Sequence, residues 1–325
     1  MVALRPKHGL NLDIRDVQAA SERIRPHIHH TPVVTSSRLD AESGARLFFK
    51  CENLQKAGAF KSRGACNAVY QLPPEVAARG VITHSSGNHG AALARAAQLR
   101  GIGATIVVPT NANPVKKAAI ASYGALIVEC EPTLEARESG VAKIVEETGA
   151  HLVPPYDDDR IIAGQGTAAL EMVRDIKDGL DLLLVPVGGG GLLAGTSLVG
   201  ADRGLAVFGA EPEGADDAYR SLATGIRVTE QVPKTVADGL RTTLGQRNFE
   251  IIQMLVSGIL RVSDLETVAA MKRLWTRLKL VVEPSSAVTY AAITRYPEVF
   301  QGRRVGVVLS GGNIDPDDLP FNALS

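Results

Sequence analysis

The stretch DLLLVPVGGGGLLAG, Asp181 to Gly195, decides the fold. Its first half is an apolar run without polar alternation, the pattern of a strand covered on both faces. Four consecutive glycines, Gly188, Gly189, Gly190 and Gly191, come next, and a helical pattern begins behind them. Glycine has no Cβ, so the backbone of such a loop can approach a ligand closely and turn several N–H groups toward one anion. A helix that starts there adds unpaired N–H groups of its own, which favour a phosphate. A tight turn without a ligand is the other reading of the same residues.

Similar apolar runs recur on both sides: LFF at Leu47, VITHSS from Val81, ATIVVP from Ala104, LIVECE from Leu126, LAVFGAEP from Leu205 and VGVVLSGG from Val305. Helical patterns lie between them, which is the signature of an α/β fold with mainly parallel sheets. One helix is expected to start at Asn113, with Pro114 in its first turn, and to stop before Gly124. Asp264 is expected to cap another, DLETVAAMKRLWTRLK, whose Trp275 reads as core. Residues 80–156 carry their own strand–helix alternation. They read as a smaller domain inserted into a larger one formed by 1–79 and 157–325, with PYDDD (Pro155 to Asp159) as a linker.

Composition excludes several classes. Among 325 residues, Lys plus Arg and Asp plus Glu are 35 each, and no basic run appears, so nothing points to nucleic acid. No apolar stretch has transmembrane length and the first residues lack a signal-peptide pattern. Cys51, Cys66 and Cys130 form no Cys-x-x-Cys pair and no zinc spacing, so they read as small core residues of a reduced, cytoplasmic protein.

Three further stretches carry chemistry. In KAGAFKSRGA (Lys56 to Ala65), Lys61 follows Phe60 directly. It is either a surface lysine on a turn or an amine whose pKa an apolar wall lowers, making it nucleophilic toward an aldehyde. THSSGNHG (Thr83 to Gly90) joins a strand end to a helix start, where open α/β sheets bind ligands. Ser85, Ser86, Asn88 and nearby N–H groups there suit a carboxylate, while His84 and His89 have no third metal ligand beside them. VVLSGGN (Val307 to Asn313) ends a strand with Ser310, whose hydroxyl can bond a ring nitrogen. A competing pattern overlaps the glycine loop: Gly189, Gly191 and Ala194 satisfy G-x-G-x-x-A, and Glu211 ends the next strand, as in nicotinamide-dependent oxidoreductases. That fingerprint usually opens its domain; here it lies past mid-chain, and it leaves the other motifs without a task.

Taken in order, AFKSRGA, SSGNHG, GGGG and LSGGN resemble the serine racemase and threonine/serine dehydratase family of fold-type II pyridoxal-phosphate (PLP) enzymes. The match runs from TPVVTSS at Thr31 to LSGGN. The resemblance implies a tryptophan-synthase-β-like fold, two open parallel-sheet α/β domains with PLP in the cleft between them, and a homodimer. It implies that Lys61 holds PLP as a Schiff base and takes the Cα proton, and that Phe60 packs on the ring. Asn88 would bond the ring hydroxyl, Gly188, Gly189, Gly190, Gly191 and Leu192 the phosphate, and Ser310 the pyridine nitrogen. Ser85, Ser86, His89 and Arg137 would bind the substrate, with Ser86 on the face opposite Lys61 and able to act as a second base. Glu211, Ala215 and Asp217 match a Mg²⁺ or Ca²⁺ site of the family; an acidic helix start is the alternative.

The favoured reaction is loss of water from a small L-β-hydroxy amino acid of the threonine/serine type, giving a 2-keto acid and ammonia. Serine racemisation is the alternative, alone or in the same protein. Hydroxyaspartate is a further candidate substrate, with Arg241 or Arg137 meeting its second carboxylate. A non-catalytic PLP-binding protein is the remaining reading. Ala91 and Tyr156 replace the Gln and Asn of mammalian serine racemases at their nucleotide site, so the match does not extend there. No regulatory domain is expected after LSGGN.

Overall fold

The computed structural model describes residues 10–321. Ten strands form two sheets among them. The larger sheet has the order β1 (Val33–Val34), β2 (Arg46–Cys51), β10 (Arg304–Leu309), β7 (Leu182–Pro186), β8 (Ala206–Pro212), β9 (Gly258–Val262). Only the β1–β2 pair is antiparallel. The smaller sheet, β5 (Leu126–Cys130), β4 (Ala104–Pro109), β3 (Val81–His84), β6 (His151–Leu152), is parallel throughout. Parallel strands need covering helices on both faces. Accordingly one apolar core lies on each side of the larger sheet, and a third joins the helices Lys61–Tyr70 and Asn88–Arg100 to the smaller one.

All the apolar runs read from the sequence are strands. The two-residue strands β1 and β6, and β9, were not expected, because two residues show no period and GILRV is a short edge strand interrupted by Arg261. Asn113 does cap the helix Pro114–Ala121, accepting from Val115 N at 2.8 Å. The cap before Leu265 is instead Ser263, whose hydroxyl accepts from Glu266 N while the Glu266 carboxylate accepts from Ser263 N, a reciprocal capping box. Asp264 sits in the first turn and accepts from Thr235 Oγ1 at 2.6 Å. Cys51 and Cys66 are buried, and burial pushes their thiols up to about 12 and about 11, so they are packing residues.

An ionic cluster sits under the site. Arg63 is fully buried and pairs bidentately with Glu52 (2.7 and 2.8 Å) and with Glu171 (2.9 and 2.8 Å). Lys50 Nζ is 2.8 Å from Glu171 and donates to Thr31 O at 2.7 Å. Two cations thus face two carboxylates, and the cluster locks the helix Lys61–Tyr70 against β2 and the helix Asp159–Asp175.

Candidate active site

The chemistry-bearing loops all leave C-terminal strand ends. The Lys61 segment follows β2, the Ser85–Asn88 loop follows β3, the glycine loop follows β7 and Ser310 follows β10. In open α/β sheets this is where ligands bind.

Lys61 is the first residue of its helix. The turn before it needs left-handed backbone at Ala57 (φ 53°) and Gly58 (φ 70°). That turn is zipped to the Ser310 loop: Phe60 N donates to Ser310 O (3.0 Å), Gly312 N to Gly58 O (3.0 Å), and Asn313 Nδ2 to Ala57 O (2.8 Å). Phe60, Lys61 and Ser310 therefore arrive together although 249 residues separate Lys61 from Ser310 (310 − 61). Lys61 Nζ donates to Pro155 O at 2.7 Å and stands 5.2 Å from the Phe60 ring centre and 5.9 Å from that of Tyr156. Burial pushes this amine down to about 8, so an appreciable neutral fraction exists near physiological pH.

The glycine loop admits no side chains. A Cβ on Gly189 would stand 2.3 Å from the Tyr156 ring, and one on Gly190, at φ +93°, would stand 2.7 Å from Leu244. The Gly189 carbonyl is tied back by Gly245 N (3.1 Å) and Asn248 Nδ2 (2.6 Å). Among the described residues the N–H groups of Gly188, Gly189 and Gly190 donate to no protein acceptor. Gly191 and the buried Leu192 open the helix Gly191–Arg203, where N–H groups have no intrahelical partner. The free polar edge of this loop consists of donors, which is what an anion requires.

Asn88 opens the helix Asn88–Arg100. Asn313 Nδ2 donates to its Oδ1 (2.9 Å), and its own Nδ2 donates to Glu283 at 3.0 Å. Burial pushes the Glu283 carboxyl up to about 7. His89 Nε2 meets Val153 O at 3.1 Å, so that nitrogen carries the proton, and burial pushes the ring down to about 3. A neutral, inward-turned imidazole leaves only the His89 backbone N–H for a carboxylate. Burial, and then the Arg137 guanidinium charge, lower His84, while Arg137 Nε donates to Thr133 O, the cap of its own helix, at 3.2 Å. Arg241 is exposed and holds Thr235 O (2.7 and 3.1 Å), so its expected role toward a second carboxylate is not supported.

The residues 24–311 match the family model described as pyridoxal-phosphate dependent enzyme. The chain belongs to this PLP-dependent enzyme family. It is 51% identical to the β-hydroxyaspartate dehydratase of Paracoccus denitrificans over 94% of this chain and 98% of that protein. It is 46% identical to the serine racemase of Dictyostelium discoideum over 93% of this chain and 95% of that one. The structure of maize serine racemase superposes with a TM-score of 0.93, at 41% identity and covering 95% of each chain.

The residues present fit PLP, a fold-type II PLP enzyme being what the sheets and loops describe. The donor-lined cradle that a Cβ would fill suits its phosphate, and the buried low-pKa amine suits its aldehyde. The nicotinamide reading is displaced by the family match over residues 24–311, and Glu211 is buried, its two oxygens accepting from Ala218 N (3.0 Å) and Tyr219 N (2.9 Å). Sequence reasoning missed Asn248, Glu283 and a structural task for Asn313. Asn313 stands inside LSGGN, but no local pattern marks the other two. Asn248 also donates to Tyr156 O (3.1 Å), tying the cradle to the strap at 155–157. Asn248→Leu is expected to raise the PLP dissociation constant roughly tenfold, as for one or two lost net hydrogen bonds; equilibrium dialysis against PLP checks this.

Proposed function

We propose that this enzyme removes water from an L-β-hydroxy amino acid, with 3-hydroxyaspartate preferred to serine and threonine, and releases a 2-keto acid and ammonia. The observation that carries the reading is Lys61: a half-buried side chain whose amine desolvation pushes down to about 8, beside two aromatic rings and on the turn zipped to the Ser310 loop. When bound, PLP supplies the electron sink that acidifies the substrate Cα–H. The neutral Lys61 amine accepts the Cα proton, and the β-hydroxyl leaves as water. The released enamine tautomerises and is hydrolysed to keto acid and ammonia. Phe60 and Tyr156 exclude water from the amine. Ser85, Ser86 and the first N–H groups of the helix Asn88–Arg100 bind the α-carboxylate. Arg137 meets the β-carboxylate in this reading, and the 51% identity to a β-hydroxyaspartate dehydratase supports that preference.

Residues 80–156 act as the smaller, mobile domain in this reading. Lys116, in that segment, pairs across the cleft with Asp238, a contact suited to holding the closed form. Racemisation is a second reading. Lys61 is held from the larger sheet and Ser86 from the smaller one, an arrangement that supports proton transfer on opposite faces.

Glu211, Ala215 and Asp217 bind Mg²⁺ or Ca²⁺ in this reading. Among the described residues no group of three or more His, Cys, Asp or Glu side chains is arranged for a metal, so a carbonyl and waters would complete the shell. Support comes from two buried carboxyls near one another. Burial and the Asp217 charge push Glu211 well up, and burial pushes Asp217 up to about 6, a strain that a cation relieves. Chelation is expected to lower both the melting temperature and turnover, and added Mg²⁺ or Ca²⁺ to restore them.

The experiment is a product assay on PLP-loaded protein with L-threo-3-hydroxyaspartate, L-serine and L-threonine, scoring keto acid and D-enantiomer. Keto acid in excess, fastest from 3-hydroxyaspartate, is expected. D-serine in excess would replace the dehydratase reading with the racemase one.

A further inference from the structure

Ser286 belongs to none of the motifs that carry the site, yet it touches Ser310. It is the third residue of the helix Pro284–Arg295 and is fully buried, as Ser310 is almost completely. Its Oγ has three polar neighbours: Gly311 O at 2.7 Å, Gly311 N at 2.8 Å and Ser310 Oγ at 3.1 Å.

A serine hydroxyl has one proton to donate and two lone pairs to accept with. The carbonyl of Gly311 can only accept, so at 2.7 Å it takes the Ser286 proton. The N–H of Gly311 can only donate, so it takes one lone pair of Ser286. What remains for Ser310 is the second lone pair. The proton between the two hydroxyls is therefore the one on Ser310, donated to Ser286. The Ser310 hydroxyl has no other protein partner among the described residues.

We propose that Ser286 is a positioning residue for the cofactor ring: it holds the Ser310 proton, so that Ser310 offers the ring nitrogen a lone pair instead of a hydrogen. This rests on the reading that Ser310 faces the pyridine nitrogen of PLP. An oxygen that can only accept stabilises the N–H form of that nitrogen. A lone serine, free to rotate, donates to the unprotonated form equally well. Turning Ser310 the other way here gives up its hydrogen bond to Ser286. One net hydrogen bond corresponds to about tenfold in the protonation equilibrium, a rise of about one pH unit in the ring-nitrogen pKa. The neutral serine site is thereby shifted part-way toward the stronger electron sink that a carboxylate partner would give.

The test loads the protein with PLP labelled with ¹⁵N in the ring and follows the bound ¹⁵N shift against pH in wild type, S286A, S286C and S286T. S286C keeps the volume but replaces the hydroxyl with a weak acceptor, so it serves if S286A does not fold. S286T keeps the hydroxyl. The expected result is a ring-nitrogen pKa about one unit lower in S286A and S286C than in wild type, with S286T restored toward wild type. Identical titrations in wild type and the hydroxyl-free variants, a higher pKa in those variants, or a nitrogen unprotonated in all of them would overturn the proposal. Failure of the PLP reading would look different: no bound ¹⁵N signal in any of them.

Discussion

Lys61→Ala is expected to abolish both covalent attachment of PLP and turnover, with a loss of at least about 10⁴-fold. Two roles meet on one atom. In the proposed function the amine, set beside the Phe60 and Tyr156 rings, bonds the aldehyde and accepts the Cα proton; positioned proton transfer alone is worth about 10²–10⁴-fold. The fold should persist, because Lys61 donates only to Pro155 O and stands outside the ionic cluster on its own helix. The loss should therefore appear with an unchanged far-UV circular dichroism spectrum. pH adds a second signature. Burial pushes the amine down to about 8, so it is mostly protonated at pH 6 and mostly neutral at pH 9. The rate at which apoprotein captures PLP should rise about tenfold per pH unit below that value and flatten above it, whereas an exposed lysine, near 10.4, would leave the rate rising past pH 9. Stopped-flow absorbance reads this directly. Full turnover in the alanine variant would remove Lys61 from the site.

Arg63→Ala is expected to be the most damaging substitution for stability. It removes the guanidinium from two buried carboxylates, Glu52 and Glu171, and leaves Lys50 to compensate only one of them. Breaking a buried pair from one side typically costs about 3–5 kcal/mol, which for a chain of this size corresponds to a fall in melting temperature of roughly 4–7 °C. Arg63→Lys should recover part of the loss, because an ammonium keeps the charge but not the planar fork that meets two carboxylates at once. The pH dependence has a definite sign. Burial would raise the Glu171 carboxyl, but the Arg63 hydrogen bond and charge hold it below its ordinary range. A lowered carboxyl contributes stability above the ordinary carboxylate range and loses it as pH falls through the folded value. In Arg63→Ala the Glu171 carboxyl loses the partner that held it down and favours protonation, so the stability gap to wild type should narrow below about pH 5. Thermal melts between pH 4 and 8 check both points. A gap that stays constant over that range would assign the loss to packing instead of charge.

What could be read from the sequence follows from how local its physics is. The glycine loop was legible because the absence of four side chains in a row, between an apolar strand and a helix, has few structural uses. Lys61 was legible only in combination: alone it read more readily as a surface residue, and it became a site once the other three motifs were taken with it. Asn248, Glu283 and Ser286 carried no signal, since each reaches the site through tertiary pairing from a helix or helix end of ordinary composition. Arg63 lies within the AFKSRGA motif, but its partners Glu52 and Glu171 sit 11 and 108 residues away, so its task shows only in three dimensions. Asp264 was expected as the cap and Ser263 takes that place, because the Glu266 carboxylate returns to the Ser263 N–H. Arg241 was a candidate for a second carboxylate by its charge alone, and its side chain is bonded to Thr235 O instead.

The measurement that tests the central claim most directly is borohydride reduction of the PLP-loaded protein, followed by proteolysis and mass spectrometry of the peptides. The account predicts one phosphopyridoxyl group per chain, on the peptide that contains Lys61. Label on Lys50, Lys56 or Lys116 with none on Lys61, or no fixed label at all, would contradict it.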